Sequence, residues 1–186
     1  PDGGEYAHLD EAERQSRYGA YFDRLERTTL PAIRRLQAAA RGAGVEVLYT
    51  VIESLTEDGR DRGLDYKISG LHVPQGSHDA KVVDAIAPRA DEIVIPKTSS
   101  SVFVSTNIDY VLRNLGVRQL VLCGVCTEQC VESAVRDACD LGYLVTLVPD
   151  ACATYSQAKH DASLAAIQGY CRQVDVETLE RELRGG

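Results

Sequence analysis

No stretch of this sequence approaches the roughly eighteen consecutive apolar residues that a membrane-spanning helix needs, and no signal peptide opens it. A surplus of positive charge is missing too. Asp and Glu number 28 against 20 Lys and Arg, for a formal charge of −8 and an isoelectric point near 5.0. That balance argues against a nucleic-acid or anionic-membrane surface. Methionine and tryptophan are absent. Internal repeats, low-complexity segments and linkers are absent as well. The 186 residues are therefore expected to form a single domain over 1–186, long enough for a two- or three-layer core. Without a secretory signal the expected setting is cytoplasmic and reducing, where six cysteines remain thiols rather than disulfides.

What is present is a regular alternation. The opening "PDGGEYAHLDEAERQSRYGAYFDR" is polar and turn-rich and reads as loop running into helix. Leu30, Ile33, Leu36 and Ala40 then recur at helical spacing ahead of Gly42 and Gly44. "VEVLYTVI" (Val45 to Ile52) is β-branched and nearly continuously apolar, as in a strand covered on both faces. A long irregular segment follows to Asp79, and loops of that length in a compact domain are usually functional or disordered. Beyond it come a short helix from about Asp79 to Ala87, the strand "EIVIP", a helix from about Asn107 to Leu115 and the strand "QLVLCG". The helix "EQCVESAVRDACDLG", the strand "YLVTLVP", a helix from about Gln157 to Tyr170, an edge strand near Arg172 to Val174 and the helix "VETLERELR" complete the pattern. Strands apolar throughout and alternating with helices predict an α/β fold, a parallel sheet with helices on both faces. In such open sheets ligands bind beyond the carboxyl ends of the strands, so the turns after Ile52, Ile95, Gly124 and Val148 are the places to search.

Four cysteines crowd around one of those turns. Cys123 ends an apolar strand and reads as a small buried hydrophobe. Cys139 lies nine residues past Cys130 on the opposite side of the helix, and Cys152 and Cys171 stand alone. "CGVC" (Cys123 to Cys126) is formally a C-x-x-C, but no second pair follows at zinc-ribbon spacing. Cys130 differs. With Thr127 as N-cap it falls in the first helical turn, near the positive end of the helix dipole and unpaired amides. Both favour thiolate, the nucleophilic form, and the same amides suit the oxyanion formed when it attacks a carbonyl. A capping box would place Glu or Gln there, so Cys130 is the candidate nucleophile. Lys97 ends the apolar run "EIVIPK" at the sheet's carboxyl edge, where a lysine beside a partly dry pocket stabilises thiolate and shuttles protons.

"GVCTEQCVESAVRDACDLGY" (Gly124 to Tyr143), "KTSSSVF" (Lys97 to Phe103) and "VPDACAT" (Val148 to Thr154), in that order, resemble the signature segments of the isochorismatase-like cysteine hydrolases. The likeness runs from Val45 onward. It implies a three-layer α/β/α domain with a mostly parallel open, Rossmann-like sheet and an Asp–Lys–Cys triad, with Cys130 as nucleophile and Lys97 as cation and proton carrier. It also implies a cis peptide between Val125 and Cys126 that aims the amides of Cys126 and Cys130 at the oxyanion. Ser101 and Phe103 match the family's pocket positions. The triad Asp, however, belongs on a first strand, and no apolar run precedes Val45. The expectation is that this strand and its general base lie upstream of Pro1, leaving a gap and two raw edges. Asp2 and Asp10 read as solvated turn residues.

A cysteine nucleophile of this kind implies hydrolysis of an amide, ureido or carbamoyl C–N bond through a thioester. Vinyl-ether hydrolysis of the isochorismatase type is the alternative, and from other classes a thiol redox or zinc protein using Cys123 and Cys126, or a catalytically silent relative. Nicotinamidases of the family bind metal through an Asp-x-His that "TVIESL" lacks. His72 and His78 make no metal signature, so no metal and no cofactor are expected. Glu53 follows the second strand and could meet a cationic or amide group. Arg60, Arg62, Tyr66 and Lys67 fill the long loop and hint at an anionic substrate. The expected partner is a small-molecule substrate, with neither nucleic acid nor membrane, and the resemblance implies a homodimer or homotetramer.

Overall fold

Asp10 is where the described chain turns into helix. The computed structural model describes residues 9–185. The Asp10 side chain accepts from the Glu13 amide at 2.8 Å, while the Glu13 carboxylate reaches back to the Asp10 amide, a reciprocal cap that satisfies two orphan donors. Helix α1 (Glu11–Arg24) therefore begins well before the apolar periodicity does. It passes through a wide π-type turn (Leu25–Thr29) into α2 (Leu30–Gly42). The opening polar stretch thus runs into helix, as expected, and the helix begins at Glu11. Asp10 is a solvated capping residue; Asp2 lies outside the described residues.

The strands are β1 (Leu48–Ile52), β2 (Ile93–Lys97), β3 (Gln119–Val125), β4 (Leu144–Ala153) and β5 (Arg172–Gln173). Between them lie α3 (Leu64–Ser69), α4 (Val102–Ser105), α5 (Ile108–Asn114), α6 (Glu132–Asp140) and α7 (Gln157–Ala166), with α8 (Val176–Gly185) last. The helix expected from Asp79 to Ala87 is instead two separate single turns, His78–Ala80 and Asp84–Ile86. The β-branched pair Val82–Val83 between them disfavours helix.

Every strand pairing is parallel, as expected for an α/β chain, but the sheet is in two pieces. β1 pairs with β2, and β3, β4 and β5 pair in that order. No strand among the described residues joins the two pieces, which is the interruption anticipated from the missing apolar run before Val45. Val121 and Val125 on β3 are accordingly exposed.

β4 organises the packing because neighbouring side chains point to opposite faces. Leu147 and Cys152 join Val102, Leu112, Val131, Val135, Ala138 and Ile167 on one face. Val148 and Ala151 meet Ile33 and Leu36 of α2 and Val176 and Leu179 of α8 on the other. Helices thus cover both faces, and the strand ends that carry the site are anchored from two sides. Among the described residues no helix is long and apolar enough to cross a membrane.

Candidate active site

The site starts at Gly124. Its φ of +130° lies where side-chain-bearing residues rarely go, and the β3–β4 register shifts there, between Leu122 and Gly124. The next peptide bond, Val125–Cys126, is cis. Cys126 is extended and heads a π-type turn, Thr127–Val131, that runs directly into α6. Its carbonyl accepts from the amides of Gln129 and Val131 at 3.1 and 3.3 Å. Because the wide turn closes on Cys126, the N-cap is Cys126 rather than Thr127, which corrects the cap read from the sequence. Cys130 sits in this first turn and is half-buried.

Thr127, fully buried, uses its hydroxyl elsewhere. The Thr127 hydroxyl and His160 Nδ1 are 2.8 Å apart, and His160 Nε2 is 3.1 Å from the Arg24 guanidinium. Since Arg24 can only donate, Nε2 accepts and Nδ1 carries the proton toward Thr127. Arg24 also donates to the carbonyl of Cys152 at 3.2 Å, and Ser163 Oγ donates to the Thr127 carbonyl at 3.3 Å. This network fixes the turn that presents Cys130.

Burial, then the Arg24 charge, holds the His160 imidazole below its ordinary value of 6.5, against weaker opposing pulls from Asp161 and Glu128. The folded state thus disfavours the protonated ring, so protons favour unfolding. The stabilisation is complete above about 6.5 and declines as pH falls below it. His160→Gln should therefore melt below the wild type at pH 7.5, with the gap narrowing toward pH 5. Circular-dichroism melts across that range check this, and a gap of constant width would refute it.

Lys97 arrives from the other piece of the sheet. It ends β2, is 4% exposed, and its Nζ lies 3.2 Å from Cys130 Sγ. The same ammonium donates to the carbonyls of Ser99 at 2.8 Å and Ser100 at 3.2 Å, and lies 3.4 Å from the Tyr66 hydroxyl. Two strand ends predicted separately from sequence thus place a sulfur and a cation in contact. In Cys123, Cys126 and Cys152 burial dominates: it pushes the first two each up to about 11 and Cys152 higher still. All six cysteines are unpaired. Protonated, buried sulfurs are poor candidates for a redox pair.

The remaining sequence candidates have other partners. Ser101 caps α4, accepting from the Val104 amide at 3.2 Å and donating to the Asp137 carboxylate. Phe103 turns its ring to Tyr143, 6.1 Å away, and packs on the core. Glu53 accepts from the Gly76 amide at 2.7 Å and so closes the long loop. His78 is exposed beside Asp79, and His72 lies against Gly59.

Tyr66 is the residue the sequence left unplaced. Its helix α3 docks on the strand-end segment after Lys97: the Gly63 amide donates to the Thr98 carbonyl at 2.8 Å, and Ser100 Oγ donates to Asp65 at 3.3 Å. A Cβ at Gly63 would come within 3.3 Å of that carbonyl, so the approach favours glycine. The docking buries Tyr66 to 6% exposure. Its hydroxyl lies 3.4 Å from Lys97 Nζ, and desolvation, then the Cys130 charge, raises the phenol well above the ordinary tyrosine value.

The Isochorismatase domain family model matches residues 24–178 of the chain. The ureidoacrylate amidohydrolase RutB of Rhizobium rhizogenes is 34% identical over 139 residues, covering 66% of this chain and 56% of that protein. This chain therefore spans little more than half the length of that relative. Among solved structures, a cysteine hydrolase from Pseudomonas syringae pv. phaseolicola superposes with a TM-score of 0.78 at 26% identity, over 85% of this chain and 81% of that one. N-carbamoylsarcosine amidase from Thermoplasma acidophilum gives 0.69 at 27% identity, over 80% and 83%.

Proposed function

We propose, for a chain that belongs to the isochorismatase family, the cysteine-dependent hydrolysis of a C–N bond in a small amide, ureide or carbamoyl compound. The observation that carries the reading is the 3.2 Å approach of the buried Lys97 ammonium to Cys130 Sγ at the start of a helical turn. A buried cation at that distance compensates negative charge on the sulfur as it attacks and leaves, and a cysteine facing a small carbonyl compound is an acyl-transfer nucleophile. The names of two relatives, an amidohydrolase and an amidase, support a nitrogen leaving group over a vinyl ether.

In this mechanism the Cys130 thiolate attacks the carbonyl carbon. The amides of Cys126 and Cys130 hold the resulting oxyanion, and charge-directed donors of that kind lower the barrier by roughly 3–4 kcal/mol each. Collapse breaks the C–N bond, the nitrogen leaves protonated, and water then releases the acid from the thioester. Lys97 remains the fixed positive charge throughout.

The test is ammonia release from the purified chain against a panel of small ureides, N-carbamoyl compounds and primary amides. Turnover of at least one ureide or carbamoyl compound is expected. Silence across the whole panel would overturn the reading.

A further inference from the structure

The turn that presents Cys130 closes on its own backbone, through the Cys126 carbonyl and the amides of Gln129 and Val131. Its place against the rest of the molecule must be set by other contacts. Among the described residues, the shortest that ties it to another element is the 2.8 Å pair of Thr127 Oγ1 and His160 Nδ1. Thr127 is fully buried and His160 is 3% exposed, so water cannot stand in for either partner. Ser163, one turn further along α7 and on the same face as His160, donates to the Thr127 carbonyl.

Arg24, at the end of α1, decides which way the ring donates. A guanidinium has no acceptor, and this one faces Nε2 at 3.1 Å. Nδ1 is therefore the N–H that points at the threonine hydroxyl. Arg24 is itself held by the Cys152 carbonyl at 3.2 Å and by Gln157 Oε1 at 2.9 Å. A fixed cation, not solvent, thus sets the tautomer. Thr127 and Cys130 share the one turn, so a displacement at Thr127 carries the sulfur with it and opens its 3.2 Å approach to Lys97 Nζ.

We infer that His160 is a positioning residue for the nucleophile: its Nδ1–H bond to the Thr127 hydroxyl holds the turn where Cys130 meets Lys97. The inference rests on the reading of Cys130 as nucleophile given above. It assigns the effect to one hydrogen bond and not to the bulk of the ring, and the two are separable.

Asparagine places its amide nitrogen where Nδ1 stands, and glutamine places its terminal group where Nε2 stands. His160→Asn therefore keeps a donor for Thr127 and gives up the acceptor for Arg24, while His160→Gln does the reverse. Two rates are read at pH 8, where the ring, held below its ordinary 6.5, is neutral. One is alkylation of Cys130 by iodoacetamide, followed by peptide mass spectrometry. The other is kcat for ammonia release from the ureide or carbamoyl compound that the wild type turns over. Misplacing a reacting group by about 1 Å can cost about 10²-fold, so His160→Gln should slow both rates by about ten- to a hundredfold. His160→Asn should recover to within about threefold of wild type although it removes more of the ring, because the donor that sets the geometry is restored. A ring that only filled space would give the opposite order. Thr127→Val, the isosteric loss of the hydroxyl, should match His160→Gln, and adding His160→Gln to it should slow Cys130 no further. Circular dichroism verifies each fold, and Thr127→Val carries the comparison if His160→Gln does not fold. Wild-type alkylation of Cys130 in folded His160→Gln or Thr127→Val, or a slower His160→Asn than His160→Gln, overturns the positioning role. The expected order of alkylation without ammonia release from any substrate overturns the hydrolytic reading instead, and the placement of the sulfur by His160 stands.

Discussion

Cys130→Ala reduces ammonia release to background, a fall of at least about 10⁴-fold, while shifting the melting temperature by no more than about 4 °C. The activity loss is large because the nucleophile is the one group the other parts act through. Lys97 lies against it, Tyr66 lies against that lysine, and the turn headed by Cys126 presents it. When residues act as a unit, removing the nucleophile alone costs nearly as much as removing all of them, about 10⁶-fold in the best-studied hydrolase triad. The stability change is small because Cys130 is only half-buried, and neither of the two core clusters includes it. Loss of one sulfur there amounts to about 1 kcal/mol or less, a few degrees for a chain of this size. Steady-state rates with a differential-scanning melt separate the two quantities. A variant that melts normally and still turns over the substrate would remove Cys130 from the mechanism.

Why could so much of this arrangement be read from the chain, and what escaped? β2, β3 and β4 are apolar runs, and runs of that kind need two covering layers; Leu147 and Val148 deliver their side chains to opposite cores. The placement of Cys130 and Lys97 followed from a topological rule, that strand carboxyl ends gather at one edge, and needed no knowledge of which strands pair. The start of α1 was harder to place than its existence, because its signal is polar. Only Gly19 and Tyr21 are buried in it, so apolar periodicity is faint, and the start is set by the reciprocal cap of Asp10 and Glu13.

The cap before α6 was misplaced by one residue for a reason of register. An ordinary turn headed by Thr127 would use its hydroxyl as cap; the wider turn moves Thr127 inside, where His160 reaches it from 33 residues away in sequence and is itself held by Arg24. Tyr66 is the same kind of case. Its neighbours in sequence are a polar loop, and its burial is decided by Gly63 meeting Thr98. Ser101 and Glu53 sit where the strand-end rule puts them, but hydrogen bonds to Asp137 and Gly76 occupy them. Position along the chain predicts which edge a side chain reaches. It does not predict which partner claims it there.

Lys97→Met separates the charge of the lysine from its bulk, and its expected outcome is a loss of about 10³-fold in kcat with little change in stability. Methionine keeps most of the volume but brings no charge. The sulfur then lacks its cation both when it attacks and when it is expelled from the thioester, so two charged stages lose support rather than one. Removing a single charge-stabilising donor from a catalytic site costs about 10²–10³-fold, and acting at two stages places this change at the upper end. Stability responds to opposed terms. The fold no longer has to desolvate an ammonium that is 4% exposed, a penalty of several kcal/mol in real proteins. Against that, the carbonyls of Ser99 and Ser100 lose a donor, each at about 1–3 kcal/mol. The two nearly cancel. Lys97→Arg should not restore activity, because a planar guanidinium fork cannot replace a compact ammonium set between two carbonyls and a sulfur. Full kcat in Lys97→Met, or its recovery in Lys97→Arg, would show that the contact between sulfur and cation is incidental to the chemistry.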